Sequence, residues 1–444
     1  MSDLLAIGAS GIRAYQSALT TVGDNIANTG TAGYSRRTTS LAEVASVNGI
    51  NGRLVDGIGV TINGVGRSAD AFRASAVRDA GADLARTQAG SVWLDRIQGA
   101  LTGSALGDRL TSFFGSARTL TADPTSVPQR AVTLEQAGAL AQSFAATGHQ
   151  LDAGMTELDS TAAQATAKLN ALAQSLTKVN DGLARTAPNG TSAAQLADQR
   201  DQLLEQMSAV ADIAMSTDAL GRATVTLGAA GPTLVSGDNA GHVIATRSGG
   251  AFAFTVQDTT GTHSFTPTGG ALAGIAEGAG RLADARASLN ALAGDFTTQV
   301  NAIQAGGRDL DGLPGQPLFA TGTTPTDLTV TLTDPRGIAA SAVGGGVRDA
   351  SNLQVLETRR TTQGWEAGLT ALTSGNAAAL EQRNLVGDAQ TAIRDGAVAA
   401  QASVSGVNLD NEAVDLLRFQ QAYQASSRVI QVARETMQSI LDIR

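Results

Sequence analysis

The sequence predicts a mostly α-helical chain with a small β insertion: a terminal α-helical coiled coil formed by both chain ends, an elongated helical rod domain, and one small β domain. Three observations carry this. Each end holds a heptad seam, a 4-3 apolar repeat runs for more than four heptads in the middle, and residues 212–275 shift to glycine and threonine with period-two runs. Apolar residues make up 42% of the 444, which supplies a core, but aromatics are only 3%. A core of Ala, Leu and Val suits close-packed helices better than a large sandwich or a ligand cavity.

The first helix is amphipathic, with Leu5, Gly8, Ile12, Tyr15, Leu19, Val22 and Ile26 spaced 3-4-3-4-3-4. Glycine and asparagine stop signals at 28–33 end it. Residues 35–56 are polar, with turns expected at Asn48-Gly49 and Asn51-Gly52. The alternation over 59–65 predicts a short strand or hairpin. Helices follow over about 70–101, 106–121 and, after the start signal Asp123-Pro124, 128–183. The clearest part of the last is Leu151, Met155, Leu158, Ala162, Ala165, Leu169, Leu172, Leu176, Val179 and Leu183, a pattern for long antiparallel or coiled packing. Pro188-Asn189-Gly190 breaks it, and another helix spans 193–210.

Alternating runs at 223–227 and 252–256 mark the inserted β domain. Helix returns over 278–305, followed by a Gly/Pro-rich loop and one strand near 328–332. Two helical stretches, 353–373 and 377–404, hold Gly368, Gly375, Gly387 and Gly396, each unfavourable by up to about 1 kcal/mol relative to Ala. The last helix, from Leu409, carries a second seam: Leu416, Phe419, Tyr423, Ser426, Ile430, Ala433, Met437 and Ile440. The domains expected are residues 1–45 with 405–444, the terminal assembly domain; 46–211 with 276–404, the rod; and 212–275, the β domain.

A single terminal helix cannot bury its own apolar stripe. Two readings stay open at this point. Either the ends pair and then pack against neighbouring subunits, ordering as they assemble, or both simply complete an intramolecular bundle.

The ends resemble a known family. Asn25-Ile26-Ala27-Asn28-Thr29-Gly30-Thr31-Ala32-Gly33-Tyr34-Ser35-Arg36 resembles the amino-terminal signature of flagellar rod, hook and hook-associated proteins. Ser405-Gly406-Val407-Asn408-Leu409-Asp410-Asn411-Glu412, Leu417-Arg418-Phe419-Gln420-Gln421-Ala422-Tyr423-Gln424-Ala425 and the final Leu441-Asp442-Ile443-Arg444 closely resemble the hook-associated protein 1 family, the first of two junction proteins between hook and filament. Asp198-Gln199-Arg200-Asp201-Gln202-Leu203 fits it too, as does the stretch 306–312 before Leu318-Phe319. The chain is shorter than that family's pattern, with room for one outer β domain.

The resemblance implies a structural subunit exported unfolded through the flagellar type III channel without a cleaved signal. It implies an export chaperone on the carboxyl-terminal helix, the hook protein below, a second junction protein above, and copies of itself around one turn of an extracellular assembly. The interface residues expected are Leu5, Ile12, Tyr15, Leu19, Val22 and Ile26 with Leu409, Leu416, Phe419, Tyr423, Ile430, Met437 and Ile440, all packing. Asn25, Asn28 and Tyr34 suit the end of the first helix, and the resemblance adds contact with neighbouring subunits or guidance of export, roles that can coexist with it.

Other chemistry finds little support. The net charge is −9 and the arginines form no patch, which argues against nucleic acid. There is no cysteine, the three histidines share no metal-ligand spacing, and no nucleophile elbow appears. Asp309-Leu310-Asp311-Gly312 opens like a calcium loop but lacks the glutamate twelve positions on, so it reads as a turn. Gly57-Ile58-Gly59 and Gly344-Gly345-Gly346 lack the context of a phosphate cradle. No run of 18 apolar residues exists, so no membrane insertion is expected, and no signal peptide is visible. The expectation is no enzyme, no cofactor and no metal. The rival readings are another axial subunit (hook or rod), a peptidoglycan-cutting enzyme, and a cytosolic coiled-coil scaffold.

Overall fold

The computed structural model describes residues 2–44 and 59–442. The chain runs α1 (Ser2–Ala27), β1 (Arg37–Glu43), β2 (Val60–Arg67), α2 (Ala71–Gly103), α3 (Leu106–Leu120), α4 (Val127–Arg185) and α5 (Thr191–Ser208). The insertion holds β3 (Ile213–Thr217), β4 (Ala223–Leu227), β5 (Thr233–Ser236), β6 (Asn239–Ala240), β7 (His242–Ser248), β8 (Ala251–Asp258) and β9 (Gly261–Phe265). Then come α6 (Gly270–Gly306), β10 (Gly307–Arg308), β11 (Phe319–Thr321), β12 (Leu328–Val330), β13 (Ser341–Ala342), α7 (Ser351–Gln363), α8 (Trp365–Ser405) and α9 (Leu409–Leu441). The fold is mostly helical, as the periodicity predicts.

The long helix α4 is set by its ends and its stripe. Ser126 caps it, its hydroxyl accepting from Gln129 N, with Pro128 in the first turn. Its 59 residues reach about 90 Å at ~1.5 Å per residue. Leu151, Leu158, Ala162, Leu169, Leu172, Leu176, Val179 and Leu183 are all buried along one face. The core centres on Phe296 of α6, whose ring lies 5.4–6.2 Å from Phe113, Phe114, Phe144, Phe319 and Trp365. Six of the chain's fifteen aromatic residues gather at this crossing of α3, α4, α6 and α8. Arg130, 1% exposed, ties the far end by donating to the carbonyls of Pro124 and Ile338.

The β insertion forms two antiparallel sheets, β3-β4-β5-β6 and β7-β8-β9. Two buried asparagines of α4 hold them. Asn170 exchanges both amide bonds with Val243, at 2.7 and 3.0 Å. Asn180 does the same with Ala223, at 2.8 Å each, and also donates to Gly237 O. Each apparently misplaced polar residue in the α4 stripe therefore satisfies a strand backbone that would otherwise be buried unpaired.

Three local expectations need revision. A strand, β1, lies where only a polar loop was expected; it pairs β2 with a bulge after Ser40, and its sequence RTTSLAE shows no clean alternation. Helix α6 starts at Gly270, eight residues earlier than expected. The break between the last rod helices falls at Gly364, not near Gly375. Gly364 takes φ +63° and ends α7, whereas α8 runs unbroken past Gly375, where Asn376 donates to Leu94 O and the Gln98 side chain of α2. The turns expected at Asn48-Gly49 and Asn51-Gly52 lie outside the described residues.

Glu277 of α6 clamps three helices, pairing with Arg86 of α2 and, at 2.6 Å, with Arg383 of α8. Burial acts to raise its pKa, but the two guanidiniums win and hold it below the ordinary 4.5. A depressed carboxylate stabilises above its unfolded pKa and ceases to as pH falls through the folded one. Urea midpoints at pH 6 and pH 3 should therefore differ less in Glu277→Gln than in the parent chain. Truncating the hub, Phe296→Ala, should cost about 3–5 kcal/mol in urea unfolding, whereas Phe72→Ala, 81% exposed, should stay within ~0.5 kcal/mol.

Candidate assembly interface at the chain ends

Helices α1 and α9 pack along each other, and the contact is made by small residues. A Cβ on Gly8 would sit 2.5 Å from Ile430, and one on Gly11 2.6 Å from Ser426, so only glycine allows this approach. Ala14, Ala18 and Val22 continue the buried stripe, and Tyr15 stacks on Phe419 at 6.4 Å. The β1–β2 hairpin covers a further side of α1: Ser10 accepts from Val60 N at 3.1 Å, and the Thr21 and Thr39 hydroxyls meet at 2.9 Å. Asn408 caps α9 by accepting from Asp410 N and Asn411 N.

At the base of the pair lies a buried polar cluster. Asn25, fully buried, uses its whole amide: Nδ2 donates to Arg37 O at 2.8 Å and Glu412 Oε2 at 2.9 Å, while Oδ1 accepts from Arg37 N and the Tyr34 hydroxyl, both at 2.9 Å. The Glu412 side chain, also fully buried, takes Arg36 Nε at 2.6 Å, and Asp415 takes Arg36 Nη2 at 3.1 Å. Next door, Arg37 Nη2 donates to Asp198 at 3.0 Å and lies over the Tyr34 ring at 4.6 Å. Arg67 Nε stands 2.9 Å from Asp198 Oδ1, an ion pair out of line for a hydrogen bond, and Arg67 Nη2 donates to Asp201 at 2.6 Å. Arg200 takes the other oxygen of Asp201. Burial pushes the Tyr34 phenol above its ordinary pKa.

Beyond this cluster, Gln202 donates to Ala32 O at 2.6 Å, filling the space left by Gly33 at φ +74°. Arg36 N donates to Ser405 O at 2.8 Å. Three segments far apart in sequence thus meet at one point: 25–37, 198–202 and 405–415.

The expected interface residues fall into groups. Val22 and Asn25 are buried; Leu5, Ile12, Tyr15, Leu19, Asn28, Tyr34, Leu416, Phe419, Tyr423 and Ile430 are half-buried; Ile26, Leu409, Met437 and Ile440 are exposed. The stripe buried within the chain is thus made of smaller residues than the large-residue seam read from the sequence. Heptad counting also passed over Arg36, Arg37, Arg67, Asp198, Asp201 and Glu412, because it scores apolar positions only; all but Arg37 and Arg67 lie within the motifs quoted above. Apolar side chains remain bare in two places: Val414, Leu417 and Val432, on the side of α9 turned away from α1, are 59–65% exposed, and Ile440 and Leu441, at the end of α9, are 54% and 60% exposed. Among the described residues no three His, Asp or Glu groups are placed to hold a metal, and no helix is long and apolar enough to cross a membrane.

Residues 93–319 match the family model described as the flagellar hook-associated protein FlgK helical domain. Residues 400–443 match that of the flagellar basal body rod FlgEFG protein C-terminal region. The chain is 30% identical over 337 residues to flagellar hook-associated protein 1 of Salmonella typhimurium, an alignment covering 72% of this chain and 60% of that protein. It is 28% identical over 363 residues to the Escherichia coli protein of the same name, covering 79% and 65%. The solved structure of the flagellar hook junction protein FlgK from Burkholderia pseudomallei superposes with a TM-score of 0.66 at 15% identity, covering 74% of this chain and all of that one. The aligned part thus spans under two thirds of those two relatives' own length.

Removing the carboxylate from the cluster, Glu412→Ala, leaves Arg36 and Asn25 without it and should cost about 3 kcal/mol in urea unfolding. Asp410→Ala, exposed in the same turn of α9, should cost under ~1 kcal/mol. A double-mutant cycle between Asn25→Ala and Glu412→Ala should show coupling of at least ~0.5 kcal/mol.

Proposed function

Since this chain belongs to the flagellar hook-associated protein FlgK family, we propose that it is the adaptor joining hook to filament, a mechanical part without catalytic activity. The observation that carries this is the terminal pair. The α1–α9 pair is tied to the rod through a buried polar cluster, yet leaves Val414, Leu417, Val432, Ile440 and Leu441 largely in solvent. A subunit that packs side by side with copies of itself would cover these exposed apolar groups.

In this reading residues 1–45 with 405–444 form the assembly domain, 46–211 with 276–404 the rod, and 212–275 the projecting β domain. Leu5, Ile12, Tyr15, Leu19 and Ile26 with Leu409, Leu416, Phe419, Tyr423, Ile430, Met437 and Ile440 complete their burial against neighbouring copies. Asn25, Asn28 and Tyr34 shape the end of α1 and hold it to the rod. The chain leaves the cell by the flagellar type III route, with an export chaperone guarding α9. It then lies outside the cell between the hook protein below and a second junction protein above.

A rod or hook subunit is the alternative, favoured by the rod-type match over 400–443. That match covers only the terminal helix, whereas the hook-associated match covers the helical body over 93–319, which weighs for the junction. Deleting the gene and imaging the cells by electron microscopy tests this. Hooks without filaments, with flagellin lost to the medium, are expected. Loss of hooks would assign the chain to the hook or rod, and normal filaments would overturn an axial role.

A further inference from the structure

The Asn-Gly dipeptide occurs four times in the chain, at 48–49, 51–52, 63–64 and 189–190, and none of the four has a part in the junction role. The first two lie outside the described residues. The other two meet. Asn189 sits in the turn between α4 and α5 at φ +62°, in the left-handed region that asparagine tolerates. Its carbonyl accepts from Val65 N of β2 at 2.6 Å. Gly64 lies so close that a Cβ there would be 2.6 Å from Asn189 Cβ and 2.7 Å from its carbonyl oxygen. The β1–β2 hairpin, which flanks α1, is pinned at this point to the turn that leads into α5.

Asparagine followed by glycine loses its side-chain amide readily, because no Cβ shields the glycine nitrogen. In a folded chain the rate depends on whether that nitrogen can swing onto the asparagine Cγ. At Asn189 little prevents it. The side chain is exposed and makes no hydrogen bond among the described residues, and Gly190 N holds only the Ala187 carbonyl, at 3.3 Å. Asn63 has the same following residue but lies within β2, between Ile62 paired with Leu41 and Gly64 paired with Ser40. Asn25, Asn170 and Asn180 are buried, with both ends of the amide engaged.

We infer that Asn189-Gly190 is a site of spontaneous deamidation, with solvent water as the only co-reactant. Gly190 N gives its proton to solvent and bonds to Asn189 Cγ, the Cγ–Nδ2 bond breaks, and the nitrogen leaves as ammonia. Water then opens the imide at Cγ, giving aspartate, or at the main-chain carbonyl, giving isoaspartate. Isoaspartate lengthens the main chain by one atom and turns the oxygen that holds Val65 N into part of a carboxylate, at a contact with no spare room beside Gly64. The modification therefore loosens the hairpin from the rod, and it does so whatever the chain's place in the flagellum. The whole purified chain is incubated in mildly alkaline buffer, folded and in urea, then digested with trypsin and read by mass spectrometry with isoaspartyl methyltransferase labelling. Cleavage at Arg53, Arg67, Arg185 and Arg200 puts Asn63 and Asn189 on separate peptides, apart from Asn48 and Asn51. From the folded chain, peptide 186–200 should deamidate at least three-fold faster than peptide 54–67, and no more than about ten-fold slower than in urea, since exposed turns open at little cost. A smaller lead over 54–67, or stronger protection by folding, would overturn the site. Asn189→Gly suits the positive φ and should abolish the signal on 186–200 without lowering the Tm. On prolonged incubation the Tm of the parent should fall while that of Asn189→Gly holds, and equal falls would overturn the loosening of the hairpin.

Discussion

The contact on which the rest of the architecture depends is the one between Asn25 and Glu412. Both side chains are fully buried, 387 residues apart in sequence, and joined at 2.9 Å. The amide of Asn25 has no spare valence, because it also holds both backbone groups of Arg37 and the Tyr34 hydroxyl. Because each group there depends on the others for its hydrogen bonds, the cluster is satisfied as a unit or fails as one. Through Arg37 and Asp198 it passes into α5, and through Arg36 into the first turn of α9. The terminal pair is thereby held to the rod at a defined place.

The packing changes character along the molecule. At the crossing of α3, α4, α6 and α8 the rings of Phe113, Phe114, Phe144, Phe296, Phe319 and Trp365 form a close cluster, nearly all of it without solvent. At the ends the contact is glycine, alanine and serine, with the larger residues turned partly outward. Burial stabilises in proportion to the apolar area removed from water, so the central crossing is strongly stabilised within one chain. The ends gain less within one chain and retain more to gain from another. That distribution suits an axial subunit.

Much of this was legible in the sequence, for physical reasons. The 4-3 repeat of α4 spans so many turns that a strand or loop reading is excluded, and its boundaries follow from the Asp123-Pro124 start signal and the Pro188-Asn189-Gly190 break, while the cap itself, Ser126, came from the structure. The β insertion announced itself by composition. Less legible were features whose partner lies far away in the chain. Strand β1 exists because β2 pairs with it, not because RTTSLAE favours a strand. Gly375 looked like a helix break but α2 supports it through Asn376, while Gly364 gave no comparable signal. Asn170, Asn180, Arg67 and Asp198 are polar residues whose roles appear only when a distant backbone or charge is brought to them. The heptad reading of α1 found the helix and its apolar side, but favoured the bulky residues over Gly8, Gly11, Ala14 and Ala18.

That preference for small residues explains why the ends need a polar latch at all. A seam of glycine, alanine and serine is nearly the same surface one heptad further along, so apolar packing alone would fix the register of α1 on α9 poorly. Buried polar groups are worth little as net stability but discriminate sharply between registers, since a slip leaves them unpaired. Sliding α9 by a single turn would move Glu412 about 5.4 Å along the axis, away from both Asn25 and Arg36, and would leave a buried carboxylate without its partners. Arg36 N on Ser405 O and Gln202 on Ala32 O would part at the same time. The buried cluster therefore admits one register where the small-residue seam would tolerate several. The proposed packing beside copies of itself needs that definition, because neighbouring copies can share a lattice only if each presents its ends in the same position.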